Sequence, residues 1–169
     1  MPMPPTAWSN QDLVLFHGTT EGCARRIMAE GVRLSESKVW TDFGPGFYAC
    51  TYRPQAAAWA TSRALRSNTP ERPAVLAFQV SRDELATLES LVFVRAALDA
   101  GDYWNFVAAC RSGLGHHGRT GTSAFYDVVF GPVVADNYLR RKTHLTFDQV
   151  SFHTERAVQT LTSQRFSIL

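Results

Sequence analysis

Cysteine is scarce in this chain: 169 residues hold three, Cys23, Cys50 and Cys110. An odd, sparse set without metal-ligand spacing excludes a disulfide framework and a cysteine-based zinc site, so all three read as reduced, mostly buried thiols. Long apolar runs are missing too, and none approaches the ~20 residues of a membrane-spanning helix. The opening Met1-Pro2-Met3-Pro4-Pro5 lacks the basic-then-apolar pattern of a signal peptide, which makes the cytoplasm the expected location. Export by a signal-free route, or release from a larger polypeptide, would leave the same sequence. Neither acidic nor basic residues are in large excess. Lys and Arg number 17 against 15 Asp and Glu, a net charge of +2, and that mild basicity does not by itself call for a nucleic-acid partner. No repeat or low-complexity tract interrupts the chain.

Present instead is an ordinary 45% of hydrophobic residues, enough for one domain with its own core. Residues 1–12 read as an N-terminal extension and 13–169 as a single domain. Leu13 to Phe16 is a short apolar strand, Thr19 or Thr20 can cap a helix after it, and Gly31 ends that helix. Leu34 to Thr41 reads as a polar loop. Phe47 to Cys50 suits a short strand, and Pro54 opens an alanine-rich helix to about Leu65. Val75 to Val80 is a strand, and Ser81 with Glu84 makes a capping box. Asp99 or Asp102 starts a helix that turns Phe106, Val107 and Cys110 to the core. Arg111 to Thr122 reads as a polar surface loop that includes His116-His117. Tyr126 to Phe130 is a strand closed by Gly131-Pro132. Arg140 to His144 is a short basic cluster, Gln149 to Phe152 another strand, and Thr154 caps a last helix carrying Ala157, Val158 and Leu161. Short strands alternating with short helices give an α+β domain.

The residues suited to chemistry fall in a few places. His17 follows the first apolar run, at the lip of the core, where a neutral imidazole can donate to a ribose hydroxyl or a pyrophosphate-side group. Gly44-Pro45-Gly46 is a turn that lets a ligand approach the main chain, but it lacks the lysine of a P-loop. Tyr48 and Trp59, eleven residues apart, can face each other across a slot for a planar ring, although core packing alone would also explain them. On the late strand Gln149 and Ser151 face away from Val150 and Phe152, with Asp148 pointing opposite to Gln149. A glutamine amide can grip a ribose hydroxyl but is neither a base nor a charge. No metal site is expected.

In order and spacing, His17-Gly18-Thr19, Gly44-x-Gly46-Phe47-Tyr48, Trp59 and Gln149 resemble the NAD-binding core of ADP-ribosyltransferases of the diphtheria-toxin and poly-ADP-ribose-polymerase branch. A nearer resemblance is to poorly characterised bacterial domains of that superfamily. They share Asp42-Phe43-Gly44-x-Gly46-Phe47-Tyr48, the Ala56-x-x-Trp59-Ala60 helix, the Tyr126 to Asp136 stretch and the Gln149 to Ala157 ending. The resemblance spans residues 13 to 161. It implies a split pair of small antiparallel sheets flanked by helices, with NAD+ as substrate in the cleft between them. His17, Tyr48 and Gln149 would be the catalytic set. His17, Gly18, Thr19, Gly46, Phe47, Tyr48 and Trp59 would bind the dinucleotide.

The implied activity is mono-ADP-ribosylation of a macromolecular acceptor, protein or nucleic acid, by a bacterial toxin or toxin–antitoxin effector with an antitoxin or immunity partner. Gln149 stands where the polymerase branch has glutamate, which argues against chain elongation. It leaves NAD+ glycohydrolase activity, or an inactive nucleotide-binding module, as alternatives. An RNA 2′-phosphotransferase, from the same superfamily, would need arginine-rich phosphate contacts that show no convincing spacing in the sequence.

Overall fold

The computed structural model describes residues 10–94, 101–119 and 123–169, so residues 1–9 of the expected extension and the candidate helix start at Asp99 lie outside the described residues. The chain forms two small sheets with helices packed on them, an α+β architecture. One sheet is antiparallel throughout, in the order β1 (Leu13–Thr20), β3 (Pro73–Val80), β7 (Thr162–Ile168). The other runs β2 (Phe47–Ala49), β6 (Thr143–Phe152), β5 (Val128–Val134), β4 (Ser90–Val92). Its β2–β6 and β6–β5 pairs are antiparallel, while β4 and β5 are parallel, which corrects the expectation of purely antiparallel sheets. A parallel neighbour needs a long crossover, and the chain between β4 and β5 carries helix α4 (Gly101–Arg111).

Several elements outrun their expected bounds. β1 continues through the His17-Gly18-Thr19 motif, pairing His17 with Leu76 and Thr19 with Ala74. Thr20 takes the N-cap place of α1 (Glu21–Glu30) but makes no side-chain cap. β5 runs on through Gly131-Pro132. The partner strand β4 stops opposite Phe130, so the proline, which has no N–H to donate, falls where β5 has become a sheet edge. β6 starts at Thr143, within the basic cluster. The last helix is a single turn, α5 (Glu155–Val158), capped as expected by Thr154, whose hydroxyl accepts from the Ala157 N–H at 3.3 Å. The chain then adds β7 to β3. Ser81 caps α3 (Arg82–Leu85) in the same way.

Three buried clusters hold these layers. Leu15, Leu76 and Phe78 of the first sheet meet Val150 and Phe152 of the second. Phe43, Tyr103, Trp104 and Val107 pack α4 on Val129 and Val134. Ala56 and Ala60 of α2 (Arg53–Leu65) pack with Cys50 and Val75. His117, expected in a polar loop, is buried. Its Nε2 donates to the Phe43 carbonyl at 2.9 Å and its Nδ1 accepts from the Tyr126 N–H at 3.0 Å, so both ring nitrogens are satisfied without water.

Candidate functional site: a cationic cleft between two sheets

The site begins where β1 leans on α2. A Cβ placed on Gly18 would lie 2.0 Å from the Ala56 carbonyl oxygen, so strand and helix are in backbone contact there. Only glycine on the strand and small residues on the helix permit that approach, and Ala56 and Ala60 are fully buried beneath it.

The two sheets touch one residue pair earlier. Phe16 and Cys50 exchange both main-chain hydrogen bonds, at 2.8 and 2.9 Å. Continuing that antiparallel register would set Gly18 opposite Tyr48. Instead the Tyr48 carbonyl accepts from His17 Nδ1 at 2.6 Å. The strands part at this point and a cavity of about 540 Å³ opens, walled by β1, α1, the 31–41 segment, β2, α2 and Arg111 of α4. Main-chain groups two residues apart point to one edge of a strand, so Gly18, which lines the cavity, presents its backbone on the edge that Phe16 uses for Cys50.

His17, Gly18, Thr19, Gly46, Phe47, Tyr48 and Trp59 all line this cavity. His17 is half-buried, its ring 4.5 Å from that of Phe47. Burial lowers its pKa to about 4, against a smaller opposing effect of the Tyr48 carbonyl. The ring is therefore neutral at pH 7, and its one N–H belongs to Nδ1, because a carbonyl can only accept. Nε2 remains as an acceptor. This corrects the expectation that His17 donates to the ligand.

Tyr48 offers its ring rather than its hydroxyl. The phenol donates to the Gly44 carbonyl at 2.7 Å, accepts from the Phe43 N–H at 3.0 Å and meets Thr41 Oγ1 at 2.8 Å. Burial raises its pKa, and the phenol stays protonated at neutral pH. In the same turn Gly44 adopts φ +80, while Gly46 is needed for space, since a Cβ there would sit 2.6 Å from His153 Nδ1. His153 holds the turn, with Nδ1 donating to the Pro45 carbonyl at 2.7 Å and Nε2 accepting from Ser151 Oγ at 2.7 Å.

Gln149 shares a sheet face with Ser151 and Tyr48, as the strand alternation requires, but it is 4% exposed and is not among the cavity-lining residues. Its Nε2 donates to Asp42 Oδ2 at 2.8 Å and to the Pro132 carbonyl at 2.9 Å. Both partners are acceptors, which fixes the amide orientation. Asp42, at 5% exposure, also accepts from the Val134 N–H at 3.1 Å and from Arg111 Nε and Nη2 at 2.8 and 2.5 Å. A chain of contacts thus runs from the cavity through Arg111 and Asp42 to Gln149. Asp148 points away, as expected, accepting from the Thr51 N–H at 2.9 Å, and Gln55 clamps its backbone through hydrogen bonds of 2.6 and 3.2 Å.

Sequence reasoning missed two features. Asp42 sits inside the motif, yet its partners come from β5, α4 and β6, which no local spacing announces. The second is the charge of the cavity. Arg26, Arg33, Lys38, Arg63, Arg66 and Arg111 line it against Glu30 and Glu36, a surplus of four where the whole chain carries +2. Trp59, Arg63 and Arg66 follow an i, i+4, i+7 spacing on one face of α2, a signal the sequence held. The absence of an arginine pattern, expected from spacing, is corrected here. Cys23 also lines the cavity. Burial would raise its thiol pKa, but hydrogen bonds from Thr20, Arg26 and Thr19 outweigh it and hold the thiol below its usual range. Among the described residues no group of three His, Cys, Asp or Glu can hold a metal, and no helix is long and apolar enough to cross a membrane.

The fold and cleft define an α+β protein with a cationic, aromatic-walled cavity at the junction of two sheets. Residues 13–163 match the model of the family described as "Protein of unknown function (DUF3990)", and the chain belongs to that family. A search of the curated proteins finds no match.

Proposed function

We propose that this protein is a mono-ADP-ribosyltransferase of ADP-ribosyltransferase-like fold, which binds NAD+ in the cleft between the two sheets. The observation that carries the reading is the parting of β1 from β2 at the His17–Tyr48 contact. It creates in one place an oriented imidazole acceptor, free backbone at Gly18, an aromatic wall and a cationic rim. These match the chemistry of NAD+ part by part. Nε2 of His17 accepts from a ribose hydroxyl, and the Gly18 main chain pairs with the nicotinamide carboxamide. The rings of Tyr48 and Trp59 flank the nicotinamide, and arginines meet the pyrophosphate.

Cleavage breaks the bond between nicotinamide nitrogen and ribose C1′. The electron pair leaves with neutral nicotinamide, and positive charge develops on the ribose. Catalysis rests on orientation and on charge placed near that centre. Gln149 cannot supply charge, and both protons of its amide are committed. Among the described residues its acceptor Oε1 has no partner, and the Asp42 carboxylate lies one hydrogen bond behind the amide. That arrangement suits transfer of a single unit to an acceptor that is itself nucleophilic.

The test is release of nicotinamide from NAD+ by the wild type, His17→Ala and Gln149→Ala, with folding checked by circular dichroism. We expect release by the wild type, a loss of about 100-fold or more in His17→Ala, and a smaller loss in Gln149→Ala. Release at wild-type rate in both variants would refute the site. Free ADP-ribose at the same rate with or without cell extract would assign a glycohydrolase instead.

A further inference from the structure

The cavity holds more positive charge than a dinucleotide requires, and at its mouth stands an open tryptophan. Trp40 is 71% exposed, between the cavity-lining residues Lys38 and Thr41. It is nevertheless placed, because the pyrrole side of its indole rests on Gly113, where an added Cβ would come within 2.9 Å of Nε1. Gly113 adopts φ +91, two residues beyond Arg111. One side of the indole is thus seated against backbone beside the cleft, and the rest faces solvent. Of the cavity cations, Arg26 and Arg33 pair with Glu36 and Glu30. The side chains of Lys38 and Arg63 make no ion pair or hydrogen bond among the described residues. Arg111 is anchored through Nε and Nη2 to one Asp42 oxygen, and among the described residues its Nη1 has no partner.

We propose that the acceptor is a single-stranded nucleic acid, one base stacking on Trp40 and its flanking phosphates meeting Lys38, Arg63 and Arg111. An aromatic platform set beside cations is how proteins hold single strands without reading sequence. Lys38, Arg63 and Arg111 come from three separate elements and give an anionic strand three points of attachment around one cavity. A protein acceptor would need an acidic segment with an aromatic or guanidinium side chain beside it to use both features, whereas every nucleotide carries a phosphate and a planar base. The proposal rests on the transferase reading for its chemistry. A ring nitrogen, exocyclic amine or hydroxyl of the strand attacks ribose C1′, nicotinamide leaves with the bonding electrons, and the proton of the nucleophile passes to solvent. The products are ADP-ribosylated strand, nicotinamide and one proton.

Fluorescence anisotropy with a labelled twelve-nucleotide single strand, about the span one such platform covers, tests binding without NAD+. DNA and RNA strands, and the matching duplex, are separate arms. We expect a single strand of either kind to bind more tightly than the duplex, with affinity falling as salt rises. We expect Trp40→Ala to weaken it about tenfold and Lys38→Ser to reduce the salt slope, with thermal midpoints unchanged because both side chains are exposed. No binding, or binding that Trp40→Ala leaves intact and inorganic polyphosphate matches, would overturn the proposal. With NAD+ carrying label in its adenylate, label should appear on the strand, and label found only on protein would also overturn it. Strand binding without nicotinamide release would instead sink the transferase reading while leaving the strand site standing.

Discussion

At the residue scale, polar side chains in this cleft are fixed by what lies behind them. His17 presents an acceptor to the cleft because the Tyr48 carbonyl accepts from its one N–H, and Gln149 is oriented because Asp42 and the Pro132 carbonyl accept from both of its own. Asp42 is therefore a positioning residue as well as the carboxylate nearest Gln149. Asp42→Asn should cost about 3 kcal/mol of stability, since it leaves Arg111 opposite a neutral group, and should slow nicotinamide release by about tenfold or more. Gln149→Glu alone sets two carboxylates in hydrogen-bond contact, so they must share a proton, and activity should fall as pH rises. The double variant Asp42→Asn, Gln149→Glu restores one carboxylate and one amide and should recover activity over either single change. Kinetics across pH 5.5 to 8.5 on the three variants check this, and a double variant no better than the worse single one would remove Asp42 from the account.

At the scale of elements, Gly18 joins β1 to α2. Gly18→Ala places a methyl 2.0 Å from the Ala56 carbonyl and should destabilise the fold by about 3 kcal/mol or more, read as a lowered urea midpoint. Gly31→Ala meets open space, but it puts an L side chain at φ +79 and ψ −179, a backbone region that essentially only glycine occupies, so backbone strain alone should cost about 1–3 kcal/mol. Elements with local signals were legible in the sequence: the apolar start of β1, the proline-led α2, and the caps at Ser81 and Thr154. Spacing alone left Tyr48 and Trp59 equally explained by core packing, and it was the resemblance that set them beside His17, with which both line the cavity. What could not be read depends on long-range pairing. β7 exists because β3 offers it an edge, and β5 survives Gly131-Pro132 because β4 has already ended. His117 is buried because Phe43 and Tyr126 satisfy both its nitrogens. The Asp42–Arg111–Gln149 chain joins three distant elements and leaves no local trace, whereas the arginine face of α2 was in the sequence as a helical spacing.

At the scale of the whole molecule, three neutral histidines tie the cleft to pH. Burial lowers the pKa of His17 to about 4 and of His153 to about 3, and lowers that of His117 as well. In the unfolded chain each titrates near 6.5. The unfolded state therefore takes up protons first as pH falls. Stability is full above about 6.5 and declines from there toward the folded values, by about 1.4 kcal/mol per pH unit for each ring that stays neutral. Urea midpoints should drop between pH 7.5 and pH 5, before most carboxylates titrate, and His153→Gln should flatten that slope. An unchanged midpoint over this range would show that the rings are solvated.

If the parting of the two sheets at His17 makes one NAD+ site, calorimetric titration of NAD+ onto the wild type, His17→Ala and Trp59→Ala will show it. We expect one NAD+ bound per chain, with binding at least tenfold weaker in each variant. Wild-type affinity in both variants, or no binding by the folded wild type, would contradict it.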